Sequence, residues 1–240
     1  MSALPKHDTD GLHILDPKDS RGLKSRYITL IQKKALRRHL PPGEGRPAVD
    51  LGCGFGRLTP FLSELGWRAI GIDPAPDLLE YARTHNPGPE YRLGGLPDLP
   101  VEPASASLML IQNVLRPLKM MNRLDAVKGM GRFLAGDARV LLVENIRIGH
   151  AAYLPEAHIV ELMQHEGLGL VKRVPLRAAR WWGLYLIRYG LVPQAFFQTL
   201  ADWELNRMSS RQGAPRWQYW NVLFVFKKKI HEQAPGRGRL

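Results

Sequence analysis

The sequence predicts an α/β protein, a mostly parallel sheet with helices on both faces, and three observations carry that expectation. Between residues 47 and 145, strand-like and helix-like segments alternate. "LMLIQ" and "VLLVE" are continuous apolar runs, as strands buried on both faces require. "VDLGCGFGRLTP", Val49 to Pro60, runs from apolar residues into three alternate glycines and then into a stretch that can start a helix.

At 240 residues the chain lies near the upper limit for one core, and folding buries roughly 70% of the unfolded surface at this length. One domain over 1–240 is expected, with 1–19 a mobile arm, 177–210 a helical insertion and 231–240 a frayed tail. A hydrophobic content of 45% with 23% charged residues excludes global disorder. Cys53, the single cysteine, excludes an internal disulfide framework and suits a reducing compartment, so a cytoplasmic location is expected. No apolar run reaches the ~18 residues of a membrane span, because "WWGLYLIRYGLVP" is short and carries Arg188. "MSALPKHDTDG" lacks the apolar stretch of a secretory signal.

Taken in order, "SRGLKSRYITLIQKKALRRHL" predicts an amphipathic helix capped near Ser20 and stopped by Pro41 and Pro42, with Leu23, Tyr27 and Ile31 in one stripe. Strands are expected at Ala48 to Leu51, Ala69 to Ile72, around Tyr91, at Ser107 to Gln112 and at Arg139 to Glu144. Met120, Leu124, Val127, Met130 and Leu134 recur at helical spacing, which predicts a core-packing helix stopped by "AGD". "EAHIVELMQHEG" predicts a helix ended at Gly167, with a strand after it and a last strand in "YWNVLFVF". Trp181, Tyr185 and Tyr189 recur every four residues, so they share a stripe if that segment is helical.

The net charge of +12 is unevenly spread: residues 1–48 carry +5, 49–149 carry none and 150–240 carry +7. An anionic partner would meet the flanks first.

A strand feeding a glycine turn that opens a helix gathers free backbone N–H groups where a nucleotide-like ligand can sit. The glycines Gly52, Gly54 and Gly56 are alternate and Arg57 follows, which departs from the dinucleotide spacing of a dehydrogenase. Asp50 would repel a diphosphate and suits an ammonium or sulfonium group. Asp73, seventeen positions after Gly56, ends the second strand, where a carboxylate accepts hydrogen bonds from ribose hydroxyls.

On these residues the chain resembles the class I S-adenosylmethionine-dependent methyltransferases. "VDLGCGFGRLTPFL" looks like their first motif, "AIGIDPAPDLLEYAR" like their second, and "LPDLP" and "LMLIQNVL" are similar to their third and fourth. The resemblance implies a Rossmann-like three-layer sandwich with a seven-stranded sheet of order 3-2-1-4-5-7-6 and S-adenosylmethionine as cofactor. It implies that Asp50, Gly52, Gly54 and Gly56 wrap the methionine part, that Asp73 holds the ribose, and that Pro74, Gly95 and Leu96 lie beside the adenine. Gln112 at the end of the fourth strand joins this set. Many relatives have an aspartate where Gly95 stands, so Asp98 is the candidate replacement for its adenine contact. The lead-in "LDPKDSRGLKSRYITLIQKKAL" resembles bacterial glycan and natural-product methyltransferases, which implies that Arg26 and Tyr27 reach the cofactor's carboxylate.

Methyl transfer to a hydroxyl needs alignment, desolvation and loss of a proton. His150, after the fifth strand, and Glu144, at its end, are the candidate bases, and His13 in the arm is a further one. No Asp, His or Cys cluster has metal-ligand spacing. The family analogy makes 177–210 a lid over the acceptor, and its arginines and tryptophans suit a saccharide, a nucleobase or a membrane interface. The expected activity is O-methylation of a saccharide or other small acceptor, anionic or lipid-linked. RNA methylation through the basic flanks and a non-catalytic scaffold are the alternatives.

Overall fold

The computed structural model describes residues 18–115, 127–179, 181–213 and 216–229. His13, Met120, Leu124, Arg180, most of the expected arm and the expected tail lie outside the described residues. Seven strands form one sheet: β1 (Pro47–Leu51), β2 (Arg68–Asp73), β3 (Glu90–Leu93), β4 (Ala106–Gln112), β5 (Leu134–Ile146), β6 (Leu168–Ala178) and β7 (Trp220–Lys228). Their order is β3-β2-β1-β4-β5-β7-β6, with β7 antiparallel to both neighbours, as expected. The helices are α1 (Leu23–His39), α2 (Thr59–Glu64), α3 (Pro76–His85), α4 (Glu156–His165), α5 (Trp182–Arg188) and α6 (Phe197–Ser209).

The period of two within each strand divides the core between the sheet's faces. Leu108, Leu110, Leu141, Val143, Leu223 and Val225 pack under α1, α2, α5 and α6. Met109, Ile111, Val140, Leu142, Phe224 and Phe226 face the opposite way, against α4 and the 3-10 turn Met130–Phe133. The parallel strands therefore all end on one edge, where their loops gather.

Two local expectations need correction. Ser20 does not cap α1; the buried carboxylate of Asp19 accepts the Ser25 N–H at 2.8 Å instead. Asp19 thereby satisfies a first-turn donor from outside the helix. The helical spacing of Val127, Met130 and Leu134 resolves into a 3-10 turn followed directly by β5, so Leu134 and "AGD" belong to the strand. Leu134 pairs with Ala106 across to β4, and that long-range pairing overrides the local pattern. The 177–210 segment forms α5 and α6, which pack on α1 and β6 and continue the helical layer on that face of the sheet.

Trp181, Tyr185 and Tyr189 do not form one stripe. Trp181 precedes α5 and turns inward, its ring 6.4 Å from that of Tyr27 and 5.9 Å from that of Trp203. Tyr185 and Tyr189 face solvent.

Candidate functional site

The glycine loop leaves β1 through three residues of left-handed conformation, with φ of +70° at Gly52, +54° at Gly54 and +77° at Gly56. Two of these glycines are also required by contact. A Cβ on Gly52 would lie 2.4 Å from Val114 Cγ2, and one on Gly56 would lie 2.5 Å from the Tyr91 hydroxyl. Gly54 differs, since the nearest atom to its Cβ position is Leu78 Cδ1 at 4.0 Å. The loop is thus walled on the protein side and open at its middle glycine, as a ligand cradle must be.

Asp73 ends β2 beside this opening. One carboxylate oxygen accepts the Gly54 N–H at 2.8 Å and the other the Ala75 N–H at 2.9 Å. Each oxygen keeps a lone pair, so a fixed carboxylate presents two acceptor sites to a vicinal diol. The Gly94 N–H bonds the Asp73 carbonyl at 3.1 Å, which sets the Gly95–Leu96 turn next to it. Pro74 is exposed, and nothing lies within 4 Å of a Cβ on Gly95, so both flank open space. Asp98 does not stand in for the aspartate expected near Gly95: its carboxylate pairs with Arg132 at 2.7 Å and is otherwise exposed.

Asp50 is buried, and its carboxylate accepts the Thr59 hydroxyl at 2.7 Å. Burial pushes its pKa up to about 6, partly offset by the Thr59 hydrogen bond and by Arg57. Arg57 itself is pulled down to about 10 by burial, against the pull of Asp50, and donates to Thr29 Oγ1 of α1 at 2.8 Å. The residue after the third glycine therefore ties α1 to the cradle, a function its position suggested only as an obstacle to pyrophosphate. At the end of β4, the Gln112 Nε2 group is buried without a hydrogen-bond partner. An unmet donor at the mouth of the cradle fits a ligand acceptor there.

The remaining candidates fare differently. Tyr27 is fully buried and donates to Glu204 of α6 at 2.9 Å, so it does not reach a cofactor carboxylate. Burial drives its phenol far above the ordinary tyrosine range, and burial also raises Glu204. Tyr27→Phe strands that carboxylate and is expected to cost about 1–3 kcal/mol in urea unfolding, most of it recovered by adding Glu204→Leu. Arg26, one position earlier, is exposed.

Glu144 is buried, its oxygens accepting the Leu115 N–H at 3.0 Å and the Asn145 N–H at 3.2 Å. It holds the loop after β4 rather than presenting a free base. His150 is exposed, and its Nδ1 accepts the Ala152 N–H at 3.2 Å. A neutral ring so bonded carries its proton on Nε2 and offers a donor, not a base. Its face meets Tyr153 edge-on at 5.2 Å, and Tyr153 stacks on Tyr219.

Gln32 and Asn221 were not foreseen as partners of this edge. Gln32 of α1 donates to Asn221 at 3.2 Å, Asn221 to Asn145 at 3.0 Å, and Asn145 to Asn113 at 3.4 Å. This directed amide chain crosses from α1 through β7 and β5 to the end of β4. The signal for it was an asparagine inside "YWNVLFVF" and a glutamine beside Ile31 on the apolar stripe. Among the described residues no group of three His, Cys, Asp or Glu side chains is placed to hold a metal ion.

A seven-stranded sheet of this order, with a glycine loop after β1 and a carboxylate ending β2, has the class I methyltransferase fold. Residues 49–142 match the family model of methyltransferase domains. An uncharacterized methyltransferase of Mycobacterium tuberculosis is 28% identical over 137 residues, 57% of this chain and 54% of that protein. The chain spans about half the length of the curated relatives it matches. A ubiquinone biosynthesis O-methyltransferase of Methylocella silvestris is 36% identical over 100 residues, 40% of this chain and 39% of that one. Among solved structures, the geranyl diphosphate C-methyltransferase of Streptomyces coelicolor, bound to Mg2+, geranyl diphosphate and S-adenosyl-L-homocysteine, superposes with a TM-score of 0.62. It is 15% identical, over 89% of this chain and 86% of that one.

Proposed function

We propose that this chain is an S-adenosylmethionine-dependent methyltransferase acting on a hydroxyl of a small acceptor. The observation that supports it most is the Asp73 carboxylate, fixed by two backbone N–H groups beside a cradle whose middle glycine is open. Asp73 would hold the ribose, Pro74, Gly95 and Leu96 would flank the adenine, and Gly52, Gly54, Gly56 and Asp50 would surround the methionine part. When bound, S-adenosylmethionine supplies a methyl group from a sulfonium whose positive charge disappears on transfer.

The chain's own contribution is positioning and exclusion of water. Asn113, at the end of the amide chain, and the Gln112 Nε2 group face the edge where an acceptor would lie. The Tyr153–Tyr219 stack and His150 border the same edge. Glu144 is buried and holds the loop after β4, and His150 is turned to the Ala152 N–H, so neither is assigned the base. A saccharide or other small hydroxylated acceptor fits a rim of amides and aromatic rings.

Isothermal calorimetry with S-adenosylmethionine and S-adenosylhomocysteine tests the cofactor reading, and absence of binding by either sinks it. Transfer of labelled methyl to fractionated small-molecule, glycan and RNA pools tests the acceptor; label in RNA alone would replace it. The raised Asp50 pKa adds a pH signature. As pH falls through about 6 the carboxylate takes up a proton and no longer attracts a cation, so affinity is expected to be about tenfold weaker at pH 5 than at pH 7. Asp50→Asn should bind weakly and without that slope.

A further inference from the structure

Helix α5 is apolar on every face up to Arg188 in its last turn. Gly183, Leu184 and Ile187 are buried toward the sheet, while Trp182 (70% exposed), Tyr185 and, just past the helix end, Tyr189 (67% exposed) face outward. A helix without a polar face is one that has a partner on both sides, and here the outer side is bare. The bare surface continues through Leu191 and Phe196 (62% exposed) to Trp203 on α6. Between them lies an apolar cavity of about 550 Å³, lined by Trp182, Leu186, Val192, Phe196, Leu200 and Trp203. Six of the eleven large hydrophobic side chains exposed among the described residues fall within 182–203. Contiguous apolar exposure of this kind marks an interaction surface.

Charge indicates what covers it. Between Glu166 and Asp202 the sequence has five basic residues and no acidic one, although Arg177 is buried and Arg173 pairs with Glu156 at 2.7 Å. Asp202 is neutralised by Lys34 at 2.6 Å and Arg38 at 2.9 Å, and Glu204 is buried. Arg188 bonds the Lys18 carbonyl at 3.0 Å and Arg21 reaches the Tyr189 carbonyl at 3.5 Å, so the cations that start α1 border the aromatic patch. Lys24 shares a small surface pocket with Tyr185 and Arg188, and Arg207 lies over the Trp203 ring at 5.2 Å. A second copy of the chain would set these cations against their own kind. The aliphatic lining by Leu186, Val192 and Leu200, set between the rings of Trp182, Phe196 and Trp203, suits an acyl chain.

We propose that the α5–α6 surface docks this protein on an anionic phospholipid bilayer. Trp182, Tyr185, Tyr189 and Phe196 enter the interface, and the bordering arginines and lysines meet the headgroups. No helix among the described residues is long and apolar enough to cross a membrane, so the attachment is peripheral. Because β6 ends on the edge that holds the cofactor cradle, docking through α5 brings that edge close to the lipid. An amphiphilic acceptor follows from this only if the methyltransferase reading holds.

The experiment is flotation of the full chain with vesicles of phosphatidylcholine alone and of equimolar phosphatidylcholine and phosphatidylglycerol, without cofactor or acceptor. Binding is expected only to the anionic vesicles, to fall in molar salt, and to drop at least about tenfold in Trp182→Ser/Phe196→Ser. Thermal melting of that variant checks its fold. Arg188→Gln, which leaves the aromatics in place, should weaken binding and reduce its salt dependence. Failure of the unaltered chain to float with anionic vesicles overturns the proposal. So does a dimer in sedimentation that the double variant dissociates, and so does RNA binding lost in the double variant while vesicle binding persists. Loss of methyl transfer without loss of flotation would instead fault the enzymatic reading alone.

Discussion

Asp73→Ala is expected to weaken S-adenosylmethionine binding by at least about a hundredfold in calorimetry. In the proposed cofactor site this removes two charge-assisted hydrogen bonds to ribose hydroxyls, each contributing on the order of 1.5 to 3 kcal/mol. The loss extends to the protein, because the Gly54 and Ala75 N–H groups both use this carboxylate. Asp73→Asn keeps one acceptor oxygen and replaces the other with a donor that faces an N–H group. It should therefore recover little, and its thermal midpoint should fall along with its affinity. Affinity unchanged in Asp73→Ala would place the ribose elsewhere.

Gly54→Ala and Gly56→Ala are expected to separate ligand binding from stability within one loop. Both put a Cβ on a left-handed residue, which costs about 1–2 kcal/mol. At Gly54 the Cβ meets only Leu78 Cδ1, at an ordinary contact distance of 4.0 Å, so stability should fall by about that amount. The methyl group projects into the opening, and cofactor affinity should drop far more than stability. At Gly56 the new carbon meets the Tyr91 hydroxyl at 2.5 Å, and that hydroxyl is already committed to the Asn86 carbonyl at 2.7 Å. Overpacking there adds about 1–3 kcal/mol, and urea unfolding should show the larger loss. Equal stability losses at the two positions would mean that the loop has no open side.

The sheet was legible in advance because its central strands are apolar on both faces and alternate with helices, a pattern that few other folds produce. Gly52, Gly54, Gly56 and Asp73 were legible because a close backbone approach and a strand-end carboxylate leave local marks. Tyr27 and Glu144 were not, since their chemistry is set by distant partners, Glu204 and the Leu115 N–H, and His150 was not because a backbone N–H of its own turn, at Ala152, engages its ring. The same holds for Leu134, whose strand conformation comes from Ala106. Arg57 was visible as a bulky residue but not as a tie to α1, because Thr29 lies 28 positions away.

The amide chain from Gln32 to Asn113 has a consequence for assembly of the sheet. β7 is the last strand in the chain, yet it must slot between β5 and β6 with both of its edges paired. Its apolar residues alternate so evenly that a shift by two would bury a similar set of side chains. Asn221 removes that degeneracy. It stands directly opposite Asn145 in the antiparallel ladder, where the two amides meet. In a shifted alignment the buried Asn221 would lose Asn145 as its partner, at a cost of about 1–3 kcal/mol. One asparagine thus acts as the index mark by which the closing strand finds its place.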